Sequence, residues 1–173
     1  MESIFEHEVE ITFEQYREWF KHPLGKAAVK KYSVRLAFGI VVVIMGVFTV
    51  ILAYGKNFVD MVLGVFYLVF GSYFLFIHYN FIARKQFDLI IKSKDNLPWI
   101  RKTTFYEDQF VITEDNTTTS MEYSKIYKVT ENEKYFIIWK NDELVFRFLK
   151  SGFTNGTFAD FKIFIYNKYG RQQ

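Results

Sequence analysis

The fold of this chain is decided by two apolar stretches, LAFGIVVVIMGVFTVILAY at residues 36–54 and MVLGVFYLVFGSYFLFIHYNFIA at residues 61–83. Neither stretch contains Asp, Glu, Lys or Arg, and neither has a continuous polar face. A helix rises about 1.5 Å per residue, so each stretch is long enough to cross a bilayer core about 30 Å thick. The sequence therefore predicts a transmembrane helical hairpin over residues 34–83.

The charges on either side of these stretches predict their orientation. The link over residues 55–60 is short, so the two helices must run antiparallel, and its only basic residue is Lys56. Both outer flanks are rich in basic residues close to the spans, namely Lys21, Lys26, Lys30, Lys31 and Arg35 before them and Arg84, Lys85, Lys92 and Lys94 after them. An excess of Lys and Arg beside a span marks the cytoplasmic side. We expect a two-span protein of the cell membrane with its N- and C-termini in the cytoplasm.

Glycines recur at a seven-residue spacing within both spans. Gly39 and Gly46 lie in the first span, and Gly64 and Gly71 lie in the second. Seven residues return to nearly the same helix face, so these positions are candidates for close helix packing, although glycine is also common in membrane helices generally. His78 is the only strongly ionisable side chain in either span, and its position near the cytoplasmic end weakens the case for a functional role.

The segments that flank the hairpin have their own patterns. Residues 1–33 contain an alternating stretch around Val9 and Ile11, followed by a short amphipathic helix that Thr12 caps and Pro23 ends. This helix could lie on the membrane surface or pack on the C-terminal domain, and the sequence leaves both open. Residues 84–96 are expected to extend the second membrane helix into the cytosol until Pro98.

From residue 97 to residue 173 the hydrophobic period changes to two. Short alternating segments separated by turn-forming pairs predict antiparallel strands between Thr103 and Leu149. Thr157 then opens a terminal amphipathic helix that ends near Gly170. The predicted fold class is α+β, with a transmembrane hairpin followed by a small antiparallel sheet that the terminal helix covers.

Three segments of this region resemble the YcxB-like family of small bacterial membrane proteins. They are residues 123–129 (YSKIYKV), residues 135–139 (YFIIW) and residues 150–153 (KSGF), which lead into the final helix. The resemblance implies two membrane helices and a C-terminal domain of pleckstrin-homology-like type at residues 97–173. It implies no activity, and it supplies no catalytic residues.

The residues themselves indicate no catalytic, cofactor-binding or metal site. The chain contains no cysteine, which excludes disulfides and thiolate chemistry. His7, His22 and His78 occur in three different settings and not at the spacing of metal ligands. A net charge of +3 gives no reason to expect a nucleic-acid partner. We therefore expect a protein that is not an enzyme.

Two functions remain compatible with this architecture. The first is a membrane-anchored interaction module, whose sheet domain binds a protein partner or a second copy of itself. The alternative is a reader of anionic lipid headgroups at the inner face of the membrane, and its candidate contacts are Lys125, Lys128 and Arg147. The same three residues are the candidate contacts for a protein partner. The lipid bilayer itself is the one partner that both functions share.

Overall fold

The computed structural model describes residues 2–170, and these residues form two compact units. Residues 13–90 form the first, which we call the hairpin unit. Residues 2–12 and 91–170 together form the second, which we call the sheet unit. The predicted α+β class is confirmed, because helices fill the N-terminal half and an antiparallel sheet with a terminal helix follows them.

The hairpin unit contains two long apolar helical segments. Its helices are α1 (Phe13–Lys21), α2 (Lys26–Ala53), α3 (Phe58–Ser72) and the first part of α4 (His78–Ser93). A π-helical turn, Tyr73–Ile77, joins α3 to α4, so Phe58–Ser93 is continuous. By length and composition, Lys26–Ala53 and Phe58–Ser93 are able to cross a membrane. Asn57 caps α3 by accepting a hydrogen bond from the amide of Val59 (3.0 Å).

The helices α2 and α3 approach each other through their glycines. A Cβ atom added at Gly46 would lie 2.8 Å from the backbone nitrogen of Leu68, and one added at Gly64 would lie 2.8 Å from that of Val50. At Gly71 the added Cβ would lie 2.9 Å from the backbone nitrogen of Val43, whereas at Gly39 it would meet the side chain of Leu75 at 2.6 Å. All four glycines are buried. Side chains are therefore excluded by the backbone of the neighbouring helix at Gly46, Gly64 and Gly71, and by the side chain of Leu75 at Gly39. Whether this packing stabilises the hairpin stays a prediction that substitution can test.

Two antiparallel sheets make up most of the sheet unit. The larger has the strand order β4-β3-β2-β1-β8, and the smaller has the order β5-β6-β7. The strands are β1 (Phe5–Glu10), β2 (Ile100–Phe105), β3 (Gln109–Glu114), β4 (Thr117–Glu122), β5 (Lys128–Glu131), β6 (Tyr135–Trp139), β7 (Val145–Leu149) and β8 (Phe153–Asn155). Helix α5 (Phe158–Gly170) follows, where Asp160 accepts a hydrogen bond from the Thr157 hydroxyl (2.6 Å) at its start.

Strand β1 is an inner strand although it precedes the hairpin in sequence. It pairs with β2 along its whole length and with β8 on its other edge. Helix α1, by contrast, belongs to the hairpin unit. The segment 1–33 is thus divided between the two units after Thr12, and the hairpin is inserted between two neighbouring strands of one sheet.

Phenylalanine dominates the core of the sheet unit. Five of its rings are fully buried, at positions Phe105, Phe110, Phe136, Phe148 and Phe161. Phe161 reaches from α5 into the sheets, where its ring meets that of Phe105 edge-on at 4.6 Å between centroids. Such edge-on contacts suit the charge distribution of aromatic rings and add to the free energy gained by burial. Helix α5 therefore closes the core as the amphipathic pattern predicted.

Candidate functional site

A cavity of about 150 Å³ lies at the charged end of the hairpin unit. Its basic lining comes from Lys21 and His22 at the end of α1 and from Arg35 in α2. Tyr32 and Tyr79 add aromatic surface with polar tips. The remaining wall is apolar and is formed by Leu36, Phe74 and Leu75. The cavity thus has basic and apolar walls within one small volume, and it lies where the uncharged stretch of α2 begins.

Helix α1 is held beside this cavity by contacts with α4. The rings of Phe13 and Tyr16 each pack against Phe87, with centroids 5.8 and 5.7 Å apart. The Tyr16 hydroxyl donates a hydrogen bond to the side-chain oxygen of Gln86 (3.1 Å), and the Arg84 guanidinium lies 4.7 Å from the Phe13 ring centre. The sequence left open where this helix packs, and the structure shows it packed on α4 of its own unit.

Two cations converge on one aromatic ring in the cavity. The Lys21 ammonium lies 5.5 Å from the centre of the Tyr79 ring, and the Arg35 guanidinium lies 5.8 Å from the same centre. Arg35 also lies 5.3 Å from the ring of Tyr32. Across residues 2–170, no carboxylate forms an ion pair with Lys21 or Arg35. The positive charge at this site is therefore compensated only by aromatic faces, which attract a cation weakly at exposed positions.

The π-helical turn Tyr73–Ile77 determines which residue of α4 faces the cavity. The seven-residue spacing of Gly64 and Gly71 would place His78 next on the side that faces α2. The π turn adds a residue to one helical turn, so Tyr79 takes that side instead and its ring meets Arg35 of α2. His78 packs on its own helix, with its ring 4.6 Å from that of Phe74. The sequence drew attention to His78, but Tyr79 is the residue that lines the cavity.

The three candidate contacts in the sheet unit are not brought to one place. Lys128 and Arg147 lie on the same face of the smaller sheet, because their partners Trp139 and Ile137 alternate with core positions of β6. The Lys128 ammonium lies 5.5 Å from the Trp139 ring centre. Lys125 lies outside this sheet, in a short 3-10 turn, and forms an ion pair with Glu122 (2.7 Å). Two of the three candidates therefore share a face, and the third is already paired.

Other lysines of the sheet unit are neutralised within the unit. Glu131 accepts hydrogen-bonded ion pairs from Lys162 (2.5 Å) and Lys150 (3.4 Å). The hydrogen bond from Lys162 holds the pKa of the Glu131 carboxyl below its ordinary value. Lys168 pairs in the same way with Glu107. These lysines therefore add little net charge to the surface of the sheet unit.

His7 is a buried titratable group to which the sequence analysis gave no role. Its ring is 1% exposed, and Nε2 donates a hydrogen bond to the carbonyl of Leu149 (3.0 Å), while Nδ1 has no hydrogen-bond partner within the described residues. Burial lowers the pKa of this imidazole. Gly152 makes room for the ring, since a Cβ there would lie 2.5 Å from Nε2. Its alternation with Phe5 on β1 was the sequence signal for an inward position.

The comparisons with known proteins find a similarity to one family over part of the sheet unit. Residues 105–165, from the end of β2 into α5, match the model of a family described as YcxB-like protein. The predicted resemblance to this family is confirmed over those residues, and the hairpin lies outside them. A comparison with curated proteins and one with solved structures each give no match. Among residues 2–170, no cluster of three or more His, Cys, Asp or Glu could hold a metal ion.

Proposed function

We propose that this protein is a membrane-anchored, non-catalytic interaction module. The hairpin unit spans the cell membrane twice, and the sheet unit, a domain of pleckstrin-homology-like type, is presented to the cytoplasm. There it binds a protein, which is either a different partner or a second copy of this chain.

The observation that carries this proposal is the exposure of apolar side chains along both long helices. Phe48, Ile51 and Leu52 of α2 are 62%, 65% and 67% exposed, and Phe66 and Val69 of α3 are 58% and 65% exposed. Soluble monomers rarely leave apolar patches of this extent uncovered. A bilayer would cover them, and the charge-free stretches have the length that a bilayer requires.

The pairing of β1 with β2 supports the placement of both flanks on one side of the membrane. Strand β1 precedes the hairpin and β2 follows it, yet they pair along their length. The amide of Ile11 also donates a hydrogen bond to the carbonyl of Trp99 (2.8 Å), so the chain leaves and re-enters the sheet unit at one place. Two membrane crossings satisfy this pairing, whereas one crossing would prevent it. The basic flanks favour the cytoplasm as the side they share.

The open edge of the larger sheet supports protein binding. Strand β4 is the last strand of that sheet, and the side chains of Thr117, Thr118, Thr119 and Ser120 are exposed. Edge strands are usually protected by charges or proline, because their free backbone groups pair with other chains. This segment of β4 carries neither, so it suits the addition of an extended peptide strand.

The alternative function, headgroup binding by the sheet unit, gains no comparable support. Lys125 is paired with Glu122, and only Lys128 and Arg147 share a face.

The non-catalytic part of the proposal is supported by the position of His7. A substrate could not contact a ring that is 1% exposed and enclosed by Phe148 and Phe153.

Cysteine labelling tests the anchoring, because the chain has no cysteine of its own. Single cysteines at Asn57, in the loop, and at Lys125, in the sheet unit, would be exposed to a membrane-impermeant maleimide on whole cells. We expect labelling at position 57 and none at position 125 until the cells are opened. Labelling only at position 125 would reverse the topology, and labelling at neither position before lysis would show that the loop does not reach the outside.

Photo-crosslinking tests the proposed binding edge. A photoreactive residue at Thr119 should give a protein adduct of discrete mass in living cells, and the adduct will identify either another protein or a second copy of the chain. Lys140, which is exposed in the loop between β6 and β7, provides the matched control position. Equal adduct yields at the two positions, or none at Thr119, would contradict binding at this edge.

A further inference from the structure

We infer that the cavity at the charged end of the hairpin unit binds the phosphate headgroup of an anionic membrane phospholipid. Lys21 and Arg35 supply the charge, and Tyr79 holds both cations in place. The inference rests on the membrane anchoring proposed above, and it assigns lipid recognition to the hairpin unit, away from Lys125, Lys128 and Arg147.

The first argument is the convergence of uncompensated charge. The Lys21 ammonium and the Arg35 guanidinium each lie within 6 Å of the centre of the Tyr79 ring. Two cations held beside the same ring raise the local positive potential, which attracts an anion to the cavity that both of them line. No carboxylate of residues 2–170 pairs with either cation, so the chain does not supply that anion itself. Arginine is well suited to phosphate, because its planar guanidinium can donate two parallel hydrogen bonds.

The second argument is the depth of the cavity in a spanning hairpin. Leu36 begins the uncharged stretch of α2, and Arg35 is the last charged residue before it. Phe74 and Leu75 belong to the apolar stretch of the second helix, and Tyr79 lies near its end. The cavity is therefore bounded by apolar residues on one side and by cations on the other. A phospholipid has the same division between its acyl chains and its phosphate, which free phosphate lacks.

The third argument is that several elements cooperate to build the cavity. Helix α1 brings Lys21 to Tyr79 only because Phe13 and Tyr16 pack on Phe87 of α4. The π-helical turn places Tyr79 on the side that meets Arg35. Such turns are frequent at functional sites in helices. Lysines that are simply solvated on a surface would require neither the packing of α1 on α4 nor the π-helical turn.

Lipid binding to the purified full-length protein in detergent provides the test. Native mass spectrometry would count bound lipids during titration with phosphatidylglycerol or with phosphatidylcholine, and inorganic phosphate alone forms a third arm. We expect one phosphatidylglycerol to bind more tightly than phosphatidylcholine. The double substitution K21Q/R35Q should weaken this binding by about 30-fold, since each cation near a headgroup contributes about one kcal/mol.

The matched control is K30Q/K31Q, which removes the same charge from exposed lysines that do not line the cavity. It should change the affinity by no more than about twofold, because exposed charges outside the site are screened. Equal losses in the two double variants would show general surface attraction and would overturn the inference. So would equal affinity for the two lipids, or binding of inorganic phosphate at the same affinity as phosphatidylglycerol.

Two further variants keep the result interpretable. K21Q alone changes an exposed side chain and so preserves the fold, and it should weaken binding by about fivefold. Y79L keeps both cations but removes the ring that both of them contact, and it should also reduce the preference for phosphatidylglycerol. Extraction of membranes with alkaline carbonate tests the anchoring separately. If wild-type protein is extracted, the anchoring fails; if it resists extraction while K21Q/R35Q binds lipid normally, only this site fails.

Discussion

The sheet unit and the hairpin unit are each stabilised internally by packing, but the packing is of opposite kinds. In the sheet unit, buried phenylalanine rings from both sheets and from α5 fill the space between the elements. In the hairpin unit, α2 and α3 meet where side chains are absent, at Gly39, Gly46, Gly64 and Gly71. The hydrophobic effect stabilises the phenylalanine core of the sheet unit, because burial removes aromatic surface from water. In the bilayer that we propose for the hairpin unit, that driving force between helices would be absent, and close backbone contact would replace it. A large-to-small substitution should therefore damage one unit, and a small-to-large substitution should damage the other.

The charges of the two units differ in a parallel way. Several lysines of the sheet unit have carboxylate partners, such as Glu131 for Lys150 and Lys162 and Glu122 for Lys125. At the charged end of the hairpin unit, Lys21, Lys30, Lys31 and Arg35 form no ion pair within residues 2–170. The number of basic residues in a unit therefore does not identify a binding surface, because many of them are paired with carboxylates. Lys21 and Arg35 differ from the paired lysines because they lack a carboxylate partner within the described residues, and from Lys30 and Lys31 because they line the cavity.

Of the changes proposed here, deletion of residues 2–12 is expected to have the largest effect, because it should destabilise the sheet unit and leave the hairpin unit intact. It removes an inner strand, so β2 and β8 each lose a neighbour and Phe5 leaves the core. The sheet unit should lose its cooperative thermal unfolding transition, while the hairpin remains in the membrane. Near-ultraviolet circular dichroism and carbonate extraction measure the two outcomes. The control E8Q removes only a surface ion pair with Lys102 (3.0 Å) and should cost less than about 1 kcal/mol.

The substitution Phe161→Ala comes next in size and tests the phenylalanine core. Phe161 is fully buried and contacts rings from several strands, so its removal leaves a cavity. We expect the sheet unit to lose about 3–5 kcal/mol of unfolding free energy, measured by denaturant titration. Ile163→Ala on the same helix is the control, because that side chain is 62% exposed and should change stability by less than about 0.5 kcal/mol. Similar losses at the two positions would mean that α5 does not cover the core as described.

The substitution Gly46→Ala tests the glycine interface with a single added methyl group. That carbon would lie 2.8 Å from the backbone nitrogen of Leu68, so the helices must separate. We expect a loss of about 1–3 kcal/mol in the stability of the hairpin in detergent, as overpacking elsewhere costs. Phe48→Ala provides the opposite control, since this side chain is 62% exposed and faces away from α3's glycines. If G46A were neutral and F48A destabilising, the hairpin would be held by side chains after all.

The smallest expected effect is a pH dependence of the stability of the sheet unit, which arises from His7. Burial lowers the pKa of His7 in the folded state below the ordinary value of 6.5. Between the two values the unfolded state binds more protons, so the stability of the sheet unit rises with pH and is complete above pH 6.5. Arg101 is the charged group that acts on this imidazole, and it lowers the pKa further. Denaturant titrations from pH 5 to pH 8 should show this slope in wild type and in H22Q, and lose it in H7Q. A slope unchanged in H7Q would assign the pH dependence to other groups.

The sequence predicted those elements that depend on local pattern. The charge-free stretches located the long helices, and the period-two segments with their turn pairs located the strands between Thr103 and Leu149, although β2 begins earlier, at Ile100. The capping residue Thr157 and the spacing of Phe161 and Ile165 located α5. In each case the residues that specify the element lie within it, so neighbouring side chains carry enough information.

The cavity and the position of β1 could not be obtained in the same way. The alternation around His7 indicates a strand but not its neighbours, which come from residues 100–105 and 153–155. Likewise, Lys21, Arg35 and Tyr79 are far apart in sequence and meet only after α1 packs on α4. The π turn also changes which residue of α4 faces α2, and nothing in the sequence pattern indicates such a turn. Long-range pairing and an irregular turn leave no periodic signal in the sequence.

The insertion of the hairpin between β1 and β2 has a consequence for the order of folding. During synthesis β1 emerges first, but its neighbours β2 and β8 emerge only after both long helices. Such a contact order makes folding slow, because the chain between the strands must be brought back on itself. The cost of closing a flexible loop grows with its length, and a hairpin already inserted in the bilayer would shorten the flexible part to the residues near its two ends. The membrane would then act as a template that brings the first strand to the second before the last strand is made.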